Sequence, residues 1–290
     1  MPDSRSLPKD LLEVHRRYNR NSADLWEPFA DHRQHVTDLA AAAAGAGGGT
    51  LAVLGAGNCN DLDLAALATR FREIHLVDVD EEALRRARDR QPPEVARALV
   101  LRAPIDLSGA LADLKALGAS QKLASRPQLA GLAAQCAERV LAAVPQRFDV
   151  VLSACLLSQI AHSCRLALGG EHLQLPVIAS ALVVGHLRAM AGLANPGGQS
   201  LLVTDTASSE LHPLRERWGT MPPLDLLEAF QREENLLSGT QPALVLRTLT
   251  ADPVLTPLVG PPRLLEPWLW RLGSVITLMV YAVACQRARA

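Results

Sequence analysis

The chain has 290 residues, 49% of them hydrophobic and 20% charged, with a formal net charge of −1; it can bury a full core and is not a disordered polymer. With 29 Lys and Arg against 30 Asp and Glu no global field draws phosphates, and 3% aromatics leave little material for base stacking, so no nucleic-acid partner is expected. Five cysteines scattered at 59, 136, 155, 164 and 285 fit neither a disulfide framework nor paired metal knuckles, which points to a reducing cytoplasm.

The first twenty residues are charged and polar and lack an apolar signal core, so no targeting segment is expected. Residues 9–21 and the stretch from about 22 to 44 read as helices, with Pro28 breaking or restarting the second. The run 45–49 (GAGGG) ends that helix as a flexible hinge. Residues 50–54 (TLAVL) then form a continuous apolar run ending at Gly55, as a strand buried on both faces does. A helix over 60–71, a strand over 73–78 and a helix over 80–90 capped by Asp80 follow. Next come a strand over 98–102, alanine-rich helical segments over 106–144, a strand over 148–153 and a long apolar helix over 175–193. A turn at 195–198 (NPGG) leads into a fifth strand over 200–205. Two further strands are predicted over 243–248 and 274–285, joined by a proline-rich connection that carries Trp268 and Trp270. The run 274–285 (SVITLMVYAVAC) falls well short of the roughly 20 residues a bilayer requires, so a buried strand and no membrane partner is expected.

Apolar strands alternating with helices imply an α/β fold: a doubly wound, mostly parallel seven-stranded sheet with right-handed crossovers and an antiparallel C-terminal edge hairpin. In such a sheet ligands bind beyond the carboxyl ends of the strands. The first such end is Gly55-Ala56-Gly57-Asn58-Cys59-Asn60-Asp61, where glycines let backbone N–H groups approach a ligand. Asp78 ends the second strand 21 residues beyond Gly57, where an ionised carboxylate accepts from both hydroxyls of a ribose. A dinucleotide fingerprint wants a third Gly or Ala beneath a pyrophosphate, but Asn60 stands there. Asp61 and Asp63 would repel a diphosphate and tolerate a sulfonium or ammonium cation.

Five ordered motifs, LAVLGAGNCNDLDL, IHLVDVDEEAL, APIDLSG, FDVVLSACLLSQI and LANPGGQSLLVTD, make residues 50–205 resemble a Rossmann-like class I S-adenosylmethionine-dependent methyltransferase. The resemblance implies an N-terminal helical lid over 1–47 and a methyltransferase domain over 48–290, with a cofactor half to about 155 and a substrate half beyond. It implies that the Gly55-Ala56-Gly57 turn passes under the methionine part of S-adenosylmethionine and that Asp78 holds the ribose with Val79 against the adenine. It further implies that Asp106 accepts the adenine amino group, that Leu107 flanks the ring, and that Ser153 and Ala154 floor the site near the sulfonium. Asn58, Cys59 and Asn60 depart from the glycine common in the loop. Ser153-Ala154-Cys155-Leu156 replaces the Asn-Pro-Pro-aromatic tetrapeptide of amino-methyltransferases acting on adenine, cytosine or glutamine.

Methyl transfer from a sulfonium is a direct displacement, so alignment and a dry pocket supply much of the acceleration. A base is needed only when the nucleophile arrives protonated, and His162 is the candidate; Ser158, Gln159, Asp205 and Thr206 border the same mouth. In the N-terminal helices Tyr18, Trp26 and Arg33 can contact a small polar substrate. Arg215, Glu216, Arg217 and Trp218 can form a further substrate wall, while His186 is expected to be structural and His172 and His212 are weaker bases. His32 and His35 lack a third ligand of fitting spacing, so no metal is expected. A cofactor-binding sensor or scaffold without catalysis, or an NAD-linked oxidoreductase, are the alternatives, the latter without a Ser-Tyr-x-x-x-Lys set.

Overall fold

The computed structural model describes residues 7–45, 48–120, 123–210, 215–272 and 276–289. Helix α1 (Lys9–Ser22), a short 3-10 turn (Glu27–Phe29) and α2 (Ala30–Ala43) come first, with Pro28 in the turn that separates the two helices. The body then runs β1 (Thr50–Leu54), α3 (Leu64–Ala68), β2 (Glu73–Val77), α4 (Glu81–Asp89), α5 (Pro93–Ala96) and β3 (Leu99–Arg102). It continues through α6 (Leu111–Ser120), α7 (Arg126–Ala143), β4 (Phe148–Ala154), α8 (Leu157–Leu168), α9 (Leu175–Leu193) and β5 (Ala194–Ser208). The last part holds α10 (Pro223–Arg232), α11 (Pro242–Ala251), β6 (Arg263–Leu264), β7 (Trp268–Leu272) and β8 (Ile276–Gln286).

The strands assemble in the order β3-β2-β1-β4-β5-β8-β6, with β7 also paired to β8. Neighbours from β3 to β5 are parallel, and β8 lies antiparallel to β5. The fold is thus the expected doubly wound sheet with an antiparallel edge, but it has eight strands rather than seven. Two short segments, β6 and β7, share the outer edge of β8 in succession.

Three expectations for the chain's second half are corrected. Residues 243–248 are not a strand but the middle of α11: Pro242 occupies the first helical turn, and the buried Val245, Thr248 and Leu249 recur at helical spacing. The hairpin partner of β8 is instead β7, within the segment expected to be a mere connection; Trp268 and Trp270 lie on it. The expected turn at 195–198 is an irregularity inside a longer β5, where Phe148 pairs Ala194 and Val150 pairs Gln199. Closer to the site, the helix expected over 60–71 shrinks to α3, because residues 55–63 are drawn into turns and Asp63 caps the helix through the Ala66 N–H.

Alternate residues of each central strand enter opposite cores. Ala52, Leu54, Val151, Leu202 and Tyr281 face α6–α9 and α11, whereas Leu51, Val53, Leu152, Val203 and Val280 face α2–α4 and the Trp270 ring. Helix α9 is the one described helix long and apolar enough to cross a membrane, but it packs on α7, α8, β4 and β5 with Ile178, Leu182, Val183 and Leu187 buried; burial on several sides explains its composition.

The loop from β3 into α6 is set by Gly109, which has φ +63°; a side-chain carbon there would stand 2.5 Å from the Cys136 carbonyl oxygen. Its N–H bonds Asp106, and its carbonyl accepts from Arg139. Gly109→Ala is expected to lower unfolding stability by about 2 kcal/mol or more, from left-handed strain plus overpacking, as read from urea denaturation.

Candidate functional site

The glycine turn after β1 runs through two left-handed residues, Gly55 at φ +77° and Gly57 at φ +47°. Gly55 and Ala56 donate their N–H groups to Val77 O, so the turn is sewn to the end of β2. There Asp78 completes the join: Oδ2 accepts from Gly57 N at 2.9 Å and Oδ1 from Asp80 N at 2.9 Å. Each oxygen keeps lone-pair capacity toward the cleft. Asp80 in turn caps α4 through the Glu82 and Ala83 N–H groups. Burial pushes the Asp78 carboxyl up to about 6, against the pull of those two backbone donors. Burial likewise raises Asp61 to about 6, with Arg33 opposing.

Around this join a cleft opens to solvent. Its lining brings together Gly55, Gly57, Asp78, Val79, Asp106 and Leu107, six of the residues singled out in the sequence, and Gln159 from the substrate set. Asp106 borders the cleft but spends its carboxylate on its own loop. Oδ1 takes the N–H groups of Ser108 and Gly109 and the Ser108 hydroxyl, and Oδ2 takes Leu111 N–H. Ala56, Ser153 and Ala154 are absent from the lining. Ser153 is fully buried because its position on β4 turns it toward α9, where its Oγ lies 2.9 Å from His186 Nε2; Ala154 points to the opposite core.

Several lining residues escaped the sequence reading. His15 and Asn19 enter from α1, Ile105 and Ser108 from the loop before α6 and Leu111 from its first residue, and Leu156, Ile160 and Ser163 from the N-cap and body of α8. The signal was present in the spacing: 15 and 19 are one turn apart, and 156, 160 and 163 share one helix face. Only the packing of α1 across the cleft makes the first pair matter.

The remaining candidates stand away from this lining. His162 Nε2 lies 3.2 Å from the Tyr18 hydroxyl on an exposed flank, and burial lowers its pKa. Trp26 is covered by the Arg33 guanidinium at 3.5 Å from the ring centroid, while Arg33 donates to the carbonyls of Trp26 and Asn60. Ser158 donates to Asp205 Oδ1 at 2.6 Å, and burial raises the Asp205 carboxyl. Trp218 is buried in a small cluster with Phe230 and Met279, and Arg217 pairs with Glu233. The side chains of Arg215 and Glu216, and the whole of His212, lie outside the described residues.

His32 stacks on Trp270 at 4.0 Å, and its Nδ1 accepts from Trp268 Nε1, which leaves the ring proton on Nε2 facing Cys155 Sγ at 4.0 Å. Burial drives this imidazole down to about 3 and the Cys155 thiol well up, so the two are a neutral contact and not a thiolate–imidazolium pair. His35 packs against Trp268. Among the described residues no three His, Cys, Asp or Glu side chains converge on a metal position.

The residues that depart from the glycine-loop pattern are structural ties. Asn58 Nδ2 donates to Asn19 O and to Ser22 Oγ, Asn60 Nδ2 donates to Ser22 O, and Arg90 donates to Asn58 O, Asn60 Oδ1 and Ala23 O. They bind the loop to the C-terminal end of α1.

No family model matches the chain, and no curated protein does. Solved structures similar to it include N-methyltransferase NodS from Bradyrhizobium japonicum WM9 in complex with S-adenosyl-l-homocysteine, at 13% identity and TM-score 0.45, over 96% of this chain and 98% of that one. YcgJ from Bacillus subtilis is similar at 10% identity and TM-score 0.46, over 89% and 99%. An rRNA methylase from Streptococcus thermophilus is similar at 10% identity and TM-score 0.41, over 88% and 95%. Likenesses of this degree add nothing to the geometry above. By its own strand order and antiparallel edge, the chain has the Rossmann-like fold implied by its sequence resemblance to the class I methyltransferases.

Buried histidines set the acid response of this region. His32 is held down to about 3 and His186 to about 4 by burial, below the ordinary imidazole value of 6.5. Below pH 6.5 the unfolded chain takes up these protons and the folded one does not, so stability falls as pH drops through that window. The raised Asp61 and Asp78 act oppositely, binding protons in the folded state between about 6 and 4, with a smaller gain of about 0.8 kcal/mol each at pH 5.5. From pH 7.5 to 5.5 each of the two histidines is expected to remove about 1.4 kcal/mol. Urea unfolding of His186→Gln at both pH values should show a pH dependence smaller by that amount, whatever its absolute stability.

Proposed function

We propose that this protein is an S-adenosylmethionine-dependent methyltransferase acting on a small-molecule acceptor. One observation carries the reading: the Gly57 N–H and the Asp78 carboxylate are joined at the mouth of the cleft, while the following helix offers no open N-terminus to a diphosphate. Helix α3 is only five residues long and begins seven residues beyond Gly57; Asp63 occupies its Ala66 N–H, and Thr37 Oγ1 takes Asp63 N–H. Asp61 adds a carboxylate beside this turn. A pyrophosphate would meet acid and filled donors, whereas a sulfonium cation meets neither repulsion nor a missing partner. This weighs against the NAD-linked alternative.

The residues present fit an adenosyl group. Asp78 keeps acceptor capacity for the two ribose hydroxyls, and Val79, Ile105 and Leu107 offer apolar walls for a flat ring. Gly57, at φ +47°, holds a backbone conformation that would strain any side chain, and a β-carbon there would stand 2.9 Å from Asn19 Oδ1. When bound, the cofactor supplies an electrophilic methyl on sulfur; the chain's part is to hold, align and dry it. Gln159, whose Nε2 donates to Cys155 O, borders the cleft on the side of β4 where an acceptor would approach. Asp205, whose carboxyl burial raises and which accepts from Ser158 Oγ, is a better-enclosed proton acceptor than the flank residue His162 for a nucleophile that arrives protonated. The near-neutral charge supports a small acceptor over a nucleic acid, and five free, buried thiols accord with a reducing cytoplasm.

Calorimetry should detect binding of S-adenosylmethionine and S-adenosylhomocysteine in the micromolar range or tighter and none of NADH. Asp78→Ala is expected to weaken S-adenosylhomocysteine about 10-fold or more, as a buried charge-assisted pair of bonds is lost. Unchanged affinity would remove the ribose assignment, and methyl transfer to any metabolite of an extract would remove the non-catalytic sensor.

A further inference from the structure

Methyl transfer to a nucleophile that arrives protonated leaves one proton to be placed, and the cleft offers few places for it. Asp205 and His162 stand outside its lining. Asp106 spends both carboxylate oxygens on its own loop, and Asp78 faces the ribose in the adenosyl reading. His15, a partly buried imidazole on α1, lines the cleft. Its Nε2 lies 3.0 Å from the hydroxyl oxygen of Ser163, a buried residue of α8 that also belongs to the lining.

A third lining residue holds the ring. Gln159, one turn before Ser163 on α8, spends its Nε2 on Cys155 O at 3.2 Å, and its side chain bonds the His15 imidazole in the sense that favours the protonated ring. A bond of that sense uses the amide oxygen as acceptor, so the ring N–H belongs at Nδ1 and Nε2 is left to accept from the Ser163 hydroxyl. The set also stands close to the glycine turn, since α8 begins against it: a β-carbon on Gly55 would lie 2.9 Å from Leu156 Cβ. An amide that fixes the ring, a ring nitrogen with a lone pair and a hydroxyl in the cleft make a base oriented by one neighbour and acting through another.

We propose that Gln159, His15 and Ser163 form a proton relay that serves the methyl acceptor. The carbon–sulfur bond breaks, the sulfur keeps the electron pair, and the methyl carbon bonds to the nucleophile. The proton of the nucleophile passes to Ser163 Oγ while the Ser163 proton passes to His15 Nε2. This rests on the adenosyl reading above. The positive charge lost from sulfur then reappears on His15, so the cleft holds the same net charge before and after transfer. The groups that face the ring suit this. Asp106 from the loop before α6 and Asp80 from the start of α4 favour the imidazolium, His162 from α8 opposes it, and the Asp10–Lys115 pair between α1 and α6 neutralises itself. Burial outweighs them and keeps His15 below its ordinary pKa, so the ring is uncharged at neutral pH and able to take a proton.

Imidazole NMR of the full wild-type chain tests the placement, with saturating S-adenosylmethionine and then with S-adenosylhomocysteine, which differ in the charge on sulfur. A sulfonium beside the relay should set the His15 titration midpoint at least about half a pH unit lower than the uncharged thioether does. Equal midpoints in the two complexes would overturn the relay and leave the cofactor reading in place. Labelled S-adenosylmethionine with a metabolite extract as acceptor pool tests the proton's path. His15→Gln should slow transfer about 100-fold and Ser163→Ala about 10-fold, with affinity for S-adenosylhomocysteine kept within about 3-fold. The residual transfer of His15→Gln should climb with pH, as the nucleophile sheds its proton to solvent. Transfer by His15→Gln at the wild-type rate would also overturn the relay. Failure of wild type to bind either ligand would overturn the cofactor reading and the relay with it. Because the midpoints are read on wild type, a variant that folds poorly leaves the result decisive.

Discussion

The site depends on one carboxylate shared between two loops. Asp78 accepts the Gly57 N–H with one oxygen and the Asp80 N–H with the other, so the turn leaving β1 and the turn leaving β2 have a common fixed point. Burying that charge is costly, as the upward displacement of its pKa records. A carboxylate held at such cost, with acceptor capacity still turned to a cleft, is poised for a ligand rich in hydroxyl donors. The two left-handed glycines of the same turn, Gly55 and Gly57, serve the same end, since they bring backbone rather than side chains to the ligand.

From this point the structure builds outward in two directions. Asp80, aligned by Asp78, starts α4 and receives Asn19; Asn58 and Asn60, which replace the small residues common at these positions, reach up to the end of α1. The glycine turn, α4 and α1 therefore form one polar network, with Arg90 and Arg33 as donors beneath it and Trp26 covered by Arg33. The opposite wall is held by bonds of its own, and α1 reaches it through Lys115, Ser163 and His162. It is the self-bonded loop of Asp106 to Leu111, braced by Arg139 and the close backbone approach of Gly109 to α7.

A division of labour among the polar residues follows. Those bonded to one another inside the protein, Ser153 with His186, His32 with Trp268 and Arg188 with Asp252, hold layers of the fold together. Those at the cleft, Asp78, His15, Asn19 and Gln159, each retain bonding capacity toward its interior. Residue type alone does not separate the groups, since each contains a histidine and an aspartate.

The sequence by itself determined the parallel core of the sheet, the glycine turn after β1 and the acid that ends β2, because these follow from short apolar runs, glycine spacing and the reach of a single strand. It could not decide that residues 243–248 are a helix, since an apolar run of that length satisfies both periods until its neighbours are known. Nor could it separate Ser153 from the cleft, because a strand's alternation assigns a residue to one face without saying which face holds the site. Only the tertiary structure brought Asn19 over Gly57 and His15 into the lining of the cleft. Those contacts join residues about 40 or more positions apart, and they exist because Asn58 and Asn60 spend their side chains on the end of α1, a choice made by packing and not by local pattern.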